Sequence, residues 1–341
     1  MTGEASDAAS EVASGSVPST GSVPSTGPVP STGAVGSVAR WWLGARPRTL
    51  PAAVVPVVVA TAIAHAWHAP GLGAGSWVRG VGAMVVALAV QIGTNYANDY
   101  SDGIRGTDEG RVGPLRLVAS GLAAPRTVRA AALASFAVAG IAGLVLAAAT
   151  SWWIVAVGVA CLAAGWLYTG GPRPYGYAGL GEVFVFVFFG IVATVGTYYV
   201  QGGSLGNAVV LVAACAVGTL ATALLVANNV RDIDTDRRAG KRTLAVRLGR
   251  RDAGWLYVAC VAAPFVLVAG WALASLLVGG TLRTTAVPFL PLVALVLAVK
   301  PVRTVLSGVE GRGLLPVLAA TGQLQLVFGL LLAAGLLVWT G

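Results

Sequence analysis

Charge is what this chain has least of. Only 10% of its 341 residues are charged and 56% are apolar, whereas an ordinary soluble domain is roughly 25% charged. No soluble fold of this size hides that much apolar surface, so lipid must be the solvent. Cysteine is nearly as scarce. Cys161, Cys215 and Cys260 each sit inside an apolar run and lack metal-ligand spacing, which argues against a disulfide framework and leaves them as small packing residues. His65 and His68 fall together at one end of the first apolar run, away from every acidic cluster, and read as structural. The N-terminus lacks a basic segment leading into an apolar one, so no secretory leader is expected. Residues 1–38 almost lack large apolar side chains, and GSVPST at 15–20 recurs at 21–26, with GPVPST at 27–32. Such a segment cannot bury enough surface to offset its ordering entropy. It is expected to be a disordered, low-complexity tail before a transmembrane domain over 39–341.

From Thr49 onward, long charge-free runs alternate with short basic loops. A hydrocarbon core about 30 Å thick takes roughly 20 residues of helix. This predicts an all-α polytopic membrane protein of about nine transmembrane helices, near 49–68, 79–98, 127–148, 152–169, 178–200, 206–229, 253–274, 284–299 and 315–339. The eighth is short and interrupted by Pro288 and Pro291. Placing the N-terminus in the cytoplasm puts 20 of the 22 Lys and Arg residues on that face and leaves only Arg79 and Arg283 opposite. That is the positive-inside pattern. The net charge of +9 is therefore a matter of topology and not of nucleic-acid binding. A multi-pass protein of the bacterial inner membrane is expected.

Of the 13 acidic residues, three lie in the tail, and seven of the remaining ten fall in two short stretches. Asp99, Asp102, Asp108 and Glu109 follow the second predicted span; Asp232, Asp234 and Asp236 follow the sixth. Four spans separate the stretches, so both emerge on one side, the cytoplasmic one. Asn95, Asp99 and Asp102 recur at i, i+4 and i+7, and Asn228, Asp232 and Asp236 at i, i+4 and i+8, each set on one helical face. The shared Asn-x3-Asp spacing looks like an internal duplication. A solvated, salt-bridged loop would explain one such stretch, because basic residues are interleaved, but two matched stretches on one face suit a magnesium–diphosphate site better. Mg²⁺ takes oxygen ligands and is typically held by one or two carboxylates plus substrate phosphates. Asp99, Asp102, Asp232 and Asp236 are the candidate metal-bridging and catalytic acids. Lys241, Arg242, Arg105 and Arg111 are candidates to neutralise the diphosphate, with Asn95, Asn98 and Asn228 beside them.

These motifs resemble the UbiA superfamily of intramembrane aromatic prenyltransferases. That family carries an NDxxDxxxD-type motif after its second helix, matched by Asn98, Asp99 and Asp102, and a DxxxD-type motif after its sixth, matched by Asp232 and Asp236. Its third aspartate would fall on Gly106, and Asp108, two residues on, is the candidate replacement. Further segments are similar to the branch that prenylates 1,4-dihydroxy-2-naphthoate: RPRTLPAA (46–53), GPLRLVASG (113–121), YTGGPRPYGYAGLGEVFVFVFFG (168–190), GTYYVQ (196–201) and NNVRDIDTDRRAGKRTLAVRLG (228–249). The resemblance implies a Mg²⁺-dependent transfer from a polyprenyl diphosphate to that naphthoate, with loss of CO₂ and diphosphate to give demethylmenaquinol.

The chemistry needs a leaving group neutralised by metal and cations, a dry bundle, and aromatic faces to steady an allyl cation. Tyr96, Tyr100, Tyr168, Tyr175, Phe186 and Tyr198 are the aromatic candidates. Arg46, Arg48 and Arg173 are near the right face for the acceptor carboxylate, and Glu182 is either a base or a polar anchor. The alternatives are another acceptor (4-hydroxybenzoate, homogentisate, haem, chlorophyllide or a sugar phosphate) or a transporter. A transporter would place charge or broken helices near the midplane, where this chain has almost none.

Overall fold

A computed structural model describes residues 36–68, 74–108, 113, 115–279 and 287–338. The predicted tail lies outside them, except that the compact unit already begins at Ser37. Arg111, Glu109 and Arg283 also fall outside.

Every element is helical, with no strand among the described residues. A short α1 (Ser37–Gly44) and a 3-10 turn (Pro47–Thr49) lead into α2 (Pro51–His68). The segments Val38–Thr49 and Pro51–Ala66 meet at 58°. Then follow α3 (Ala74–Ile104), α4 (Pro125–Ala149) and α5 (Ile154–Leu167). The sixth helix, α6 (Gly181–Val200), carries a π-helical stretch at Phe186–Val192. Beyond it come α7 (Ala208–Arg238), α8 (Leu244–Leu277), a 3-10 stretch (Val287–Ala294) running into α9 (Leu295–Leu306), and α10 (Leu315–Val338).

Local chemistry sets the helix ends. Pro125 opens α4, where its missing N–H costs no intrahelical bond. Asn207 caps α7 by accepting from the Val209 and Val210 amides at 3.0 and 3.2 Å. Gly249, at φ 78°, breaks α8 near its start, so the apolar span begins beyond it. Pro291 falls in the 3-10 stretch, and α-helix proper resumes at Leu295. All nine predicted stretches contain helix. Among the described residues seven helices qualify as spans by length and composition, and the bent pair, taken as one span, makes an eighth. The fourth stretch, Ile154–Leu167, has 14 residues, about 21 Å of rise, which is short for a bilayer.

The two acid-bearing helices, α3 and α7, have 31 residues each, about 46 Å of rise. That exceeds a core of about 30 Å, so their acid-bearing last turns stand beyond the apolar slab. The α7 and α10 spans are each more than half enclosed, as is α2. Phe265 meets Phe328 edge-on, and the Tyr257 hydroxyl and Thr321 Oγ1 are 2.7 Å apart. Outward positions such as Ile141, Val145, Val266 and Val296 are large, apolar and exposed. A soluble surface would not carry such a belt; a lipid-facing one needs it.

Candidate active site

The last turns of α3 and α7 open on one cavity of about 720 Å³. From α3 it is lined by Asn95, Asn98 and Asp102, from α7 by Asn228, Asp232 and Asp236, and from the following turn by Lys241. The two aspartate stretches therefore converge.

Asp102 is the hub. Its Oδ1 accepts from Lys241 Nζ at 3.2 Å, which ties the two stretches together directly. Oδ1 also accepts from the Tyr177 hydroxyl and, at 3.3 Å, from Thr107 Oγ1. Oδ2 meets Arg116 Nη2 at 3.4 Å, and Arg116 Nε reaches Asp108 at 3.4 Å. Burial, and then the nearby Asp102 charge, push the Tyr177 hydroxyl well above its ordinary range, so it stays protonated and donates. Lys241 Nζ also lies 4.6 Å from the centre of the Tyr177 ring.

On α7, Asp232 accepts a two-pronged bond from Arg231, both at 2.7 Å, and Arg231 Nη2 also donates to Asn228 Oδ1 at 2.7 Å. Both charges are almost fully buried, so a paired geometry is required to offset their desolvation. The Asp236 carbonyl accepts from the Lys241 amide at 2.8 Å, and Gly240, at φ 73°, makes the turn that returns Lys241 to the cavity. Asp234 points away to pair with Arg250 at 2.9 Å.

Several expected residues stand elsewhere. Asp99 is buried but does not line the cavity; its two oxygens accept from the Leu117 and Val118 amides at 2.8 and 3.0 Å. It fastens the loop that delivers Arg116. Asp108 sits behind Arg116, outside the cavity lining. Gly106, where the family's third aspartate would fall, is at φ 69°, a conformation an aspartate adopts only at a cost. Arg105 donates to the Thr169 and Gly171 carbonyls, 5.5 Å from the Tyr177 ring centre, and so secures the loop after α5. Arg242 binds Tyr177 through its backbone amide, and its side chain is exposed. Glu182 is a polar anchor: its Oε1 accepts from Asn229 Nδ2 at 2.9 Å, and it does not line the cavity. Asn98 accepts from Thr169 Oγ1 at 2.8 Å. Arg116, Arg231 and Tyr177 were not among the residues expected from the sequence.

Away from the acids the cavity becomes apolar and runs between α3, α4, α5 and α6 down to Trp153 and Tyr199. Of the candidate aromatics, Tyr168 and Tyr175 line it; Tyr96, Tyr100, Phe186 and Tyr198 do not. Phe184 and Phe188 take the places on α6, with Phe184 stacked on Tyr175 at 3.9 Å. A Cβ added at Gly143, Gly158 or Gly196 would meet no atom within 4 Å, so these glycines widen the apolar bore.

Comparison with known proteins bears on this arrangement. The profile of the UbiA prenyltransferase family matches residues 53–306. A protein of Mycobacterium tuberculosis named 1,4-dihydroxy-2-naphthoate octaprenyltransferase is 51% identical over 88% of this chain and 97% of its own length. Its Escherichia coli namesake is 35% identical over 87% of this chain and 94% of its own. Among solved structures, a UbiA homologue from Archaeoglobus fulgidus bound to GPP and Mg²⁺ is 16% identical. It superposes with a TM-score of 0.57 over 89% of this chain and 100% of that one, a likeness of fold.

Proposed function

The chain belongs to the UbiA prenyltransferase family, and on that premise we propose that it transfers a polyprenyl group from polyprenyl diphosphate to 1,4-dihydroxy-2-naphthoate, releasing diphosphate and CO₂. The observation that carries this reading is the Asp102–Lys241 contact, which joins both acidic stretches at the polar mouth of a long apolar cavity. A diphosphate fits the mouth and a polyprenyl tail fits the bore. The names of the curated relatives support the naphthoate as acceptor.

The donor set suits Mg²⁺. Asp102, Asp232 and Asp236 offer oxygen ligands on facing helix ends. No three His, Cys, Asp or Glu residues converge as a ready-made cage among the described residues, and an ion shared with substrate phosphates needs none. When bound, Mg²⁺ neutralises charge that builds on the departing diphosphate. Asp99 then acts as a positioning residue for the Arg116 loop. Lys241 and Arg116 pair with Asp102 and are placed to pair with phosphate oxygens. Tyr168, Tyr175 and Phe184 keep water from the allylic carbon and present aromatic faces to it. In the net reaction the allylic C–O bond breaks and a C–C bond to the ring forms. The bond to the carboxyl carbon breaks, its electron pair stays in the ring, and aromaticity is restored.

The test is a requirement for three components. Diphosphate should be released by purified enzyme in proteoliposomes only when polyprenyl diphosphate, the naphthoate and Mg²⁺ are all present; release that persists after chelation, or without the naphthoate, argues against the reading. The reading also keeps both acidic stretches in the cytoplasm. Ile104→Cys and Arg238→Cys, each at an exposed position, should react in a cysteine-free background with an impermeant thiol reagent from the cytoplasmic side. Reaction from opposite faces would overturn that topology.

A further inference from the structure

Four cations line the cavity: Arg46, Arg48, Arg116 and Lys241. Arg116 and Lys241 already face carboxylates at the diphosphate end, and Arg48 is exposed. Arg46 is half-buried, and, unlike Arg116, whose Nη1 is also a buried donor without a partner, it has no carboxylate opposite it among the described residues. Its Nη2 is buried without a hydrogen-bond partner among the described residues. A buried donor of a charged group left unpaired is costly, and such a group calls for a reason.

The backbone reinforces the point. At φ 55° and ψ 68°, Arg46 is the single non-glycine residue with positive φ among those described. Strain of this kind persists where surrounding structure holds it and is concentrated at ligand sites. What holds it here is specific. Asn95 Nδ2 donates to the Ala45 carbonyl at 2.9 Å and to Thr49 Oγ1 at 3.2 Å, while Gln91 Nε2 donates to Thr49 Oγ1 at 2.9 Å. The loop that carries Arg46 is thereby clamped to α3 at two points. They lie about 10 and 16 Å of helical rise from Asp102, so Arg46 belongs to a second polar subsite of the same cavity.

We propose that Arg46 binds the ring carboxylate of the aromatic acceptor. The inference rests on the functional reading above and deepens it. A guanidinium presents parallel donors that match a carboxylate, and an aromatic acid docked there would supply the missing partner to Nη2. The subsite would then select carboxylated acceptors independently of the diphosphate.

The test compares two acceptors in proteoliposomes, 1,4-dihydroxy-2-naphthoate and 1,4-dihydroxynaphthalene, which has the same ring without the carboxylate. Arg46→Gly is the informative variant because glycine takes a φ of 55° freely, so the melting temperature should not fall. Its kcat/KM for the naphthoate should drop about ten- to a hundredfold, the size of a lost charge-assisted pair. The KM for polyprenyl diphosphate should not move, and the carboxylate-free ring should lose much less. Arg46→Lys, which keeps charge but not the fork, should fall between. Equal losses on both acceptors, or an unchanged preference for the carboxylated ring, would overturn the proposal. If the unaltered enzyme ignores the naphthoate altogether, the functional reading fails first; if it prenylates the naphthoate and Arg46→Gly keeps its selectivity, the inference fails alone.

Discussion

Replacing Asp102 by Asn is expected to lower prenyl transfer by on the order of 10³-fold or more, comparable to removing a principal charge-stabilising group from an active site. Asp102 faces Lys241, Arg116, Tyr177 and Thr107 at once. Its amide keeps the shape but removes the charge that a divalent ion and two cations would share. Asp232→Asn should be as damaging to turnover and also less stable, since it strips the buried Arg231 of its counter-charge. Asp99→Asn is the contrast. An amide can accept from one of the Leu117 and Val118 amides but turns its own N–H₂ toward the other. The expected cost is about 1–3 kcal/mol of stability, with some activity surviving at low temperature. Turnover per folded molecule, with folded protein measured by size-exclusion fluorescence, separates these outcomes. Near-normal rates in Asp102→Asn would remove it from the site.

Gly190→Leu is expected to leave no folded enzyme in mild detergent. Gly190 lies in the π-helical stretch of α6, where that helix crosses α7. A Cβ there would stand 2.5 Å from Gly218 Cα and 2.9 Å from the Ala214 carbonyl, all backbone that cannot step aside. Close crossings of this kind depend on small residues, because lipid supplies no hydrophobic force between helices. The loss would reach the site, since α6 carries Phe184 and Phe188 and α7 carries Asp232 and Asp236. Gly270→Ala is the control: a Cβ there would meet no atom within 4 Å, and a helical Gly-to-Ala change favours the helix by about 1 kcal/mol. Equal yields of the two variants would contradict the crossing.

The helical architecture was legible because charge-free runs have few other uses, and the convergence of the acids followed from the even number of spans between them. What was not legible is directional. At about 100° per residue, Asp99 lies roughly 60° around α3 from Asp102. That is enough to turn it from the cavity to the Leu117 and Val118 amides, although i, i+4, i+7 spacing puts both on one broad face. The evenly spaced Asn228, Asp232 and Asp236 all reach the cavity. Arg116 and Tyr177 come from irregular loops, where no periodicity says which side chain turns inward. Phe184 and Phe188, four apart on one face of α6, line the bore, whereas Phe186, two residues from each, turns to Gly218 of α7. Glu182 was legible as either a base or a polar anchor, but not its partner Asn229, which is 47 residues away.

The carboxyl carbon of the acceptor discriminates most sharply among the readings. The measurement is to incubate the purified enzyme in proteoliposomes with Mg²⁺, a polyprenyl diphosphate and 1,4-dihydroxy-2-naphthoate labelled at the carboxyl carbon, and to follow the label against diphosphate. Label should leave as CO₂, one for each diphosphate, and the prenylated lipid should carry none. Label retained in the lipid product, or diphosphate released while the naphthoate stays untouched, would contradict the proposed reaction.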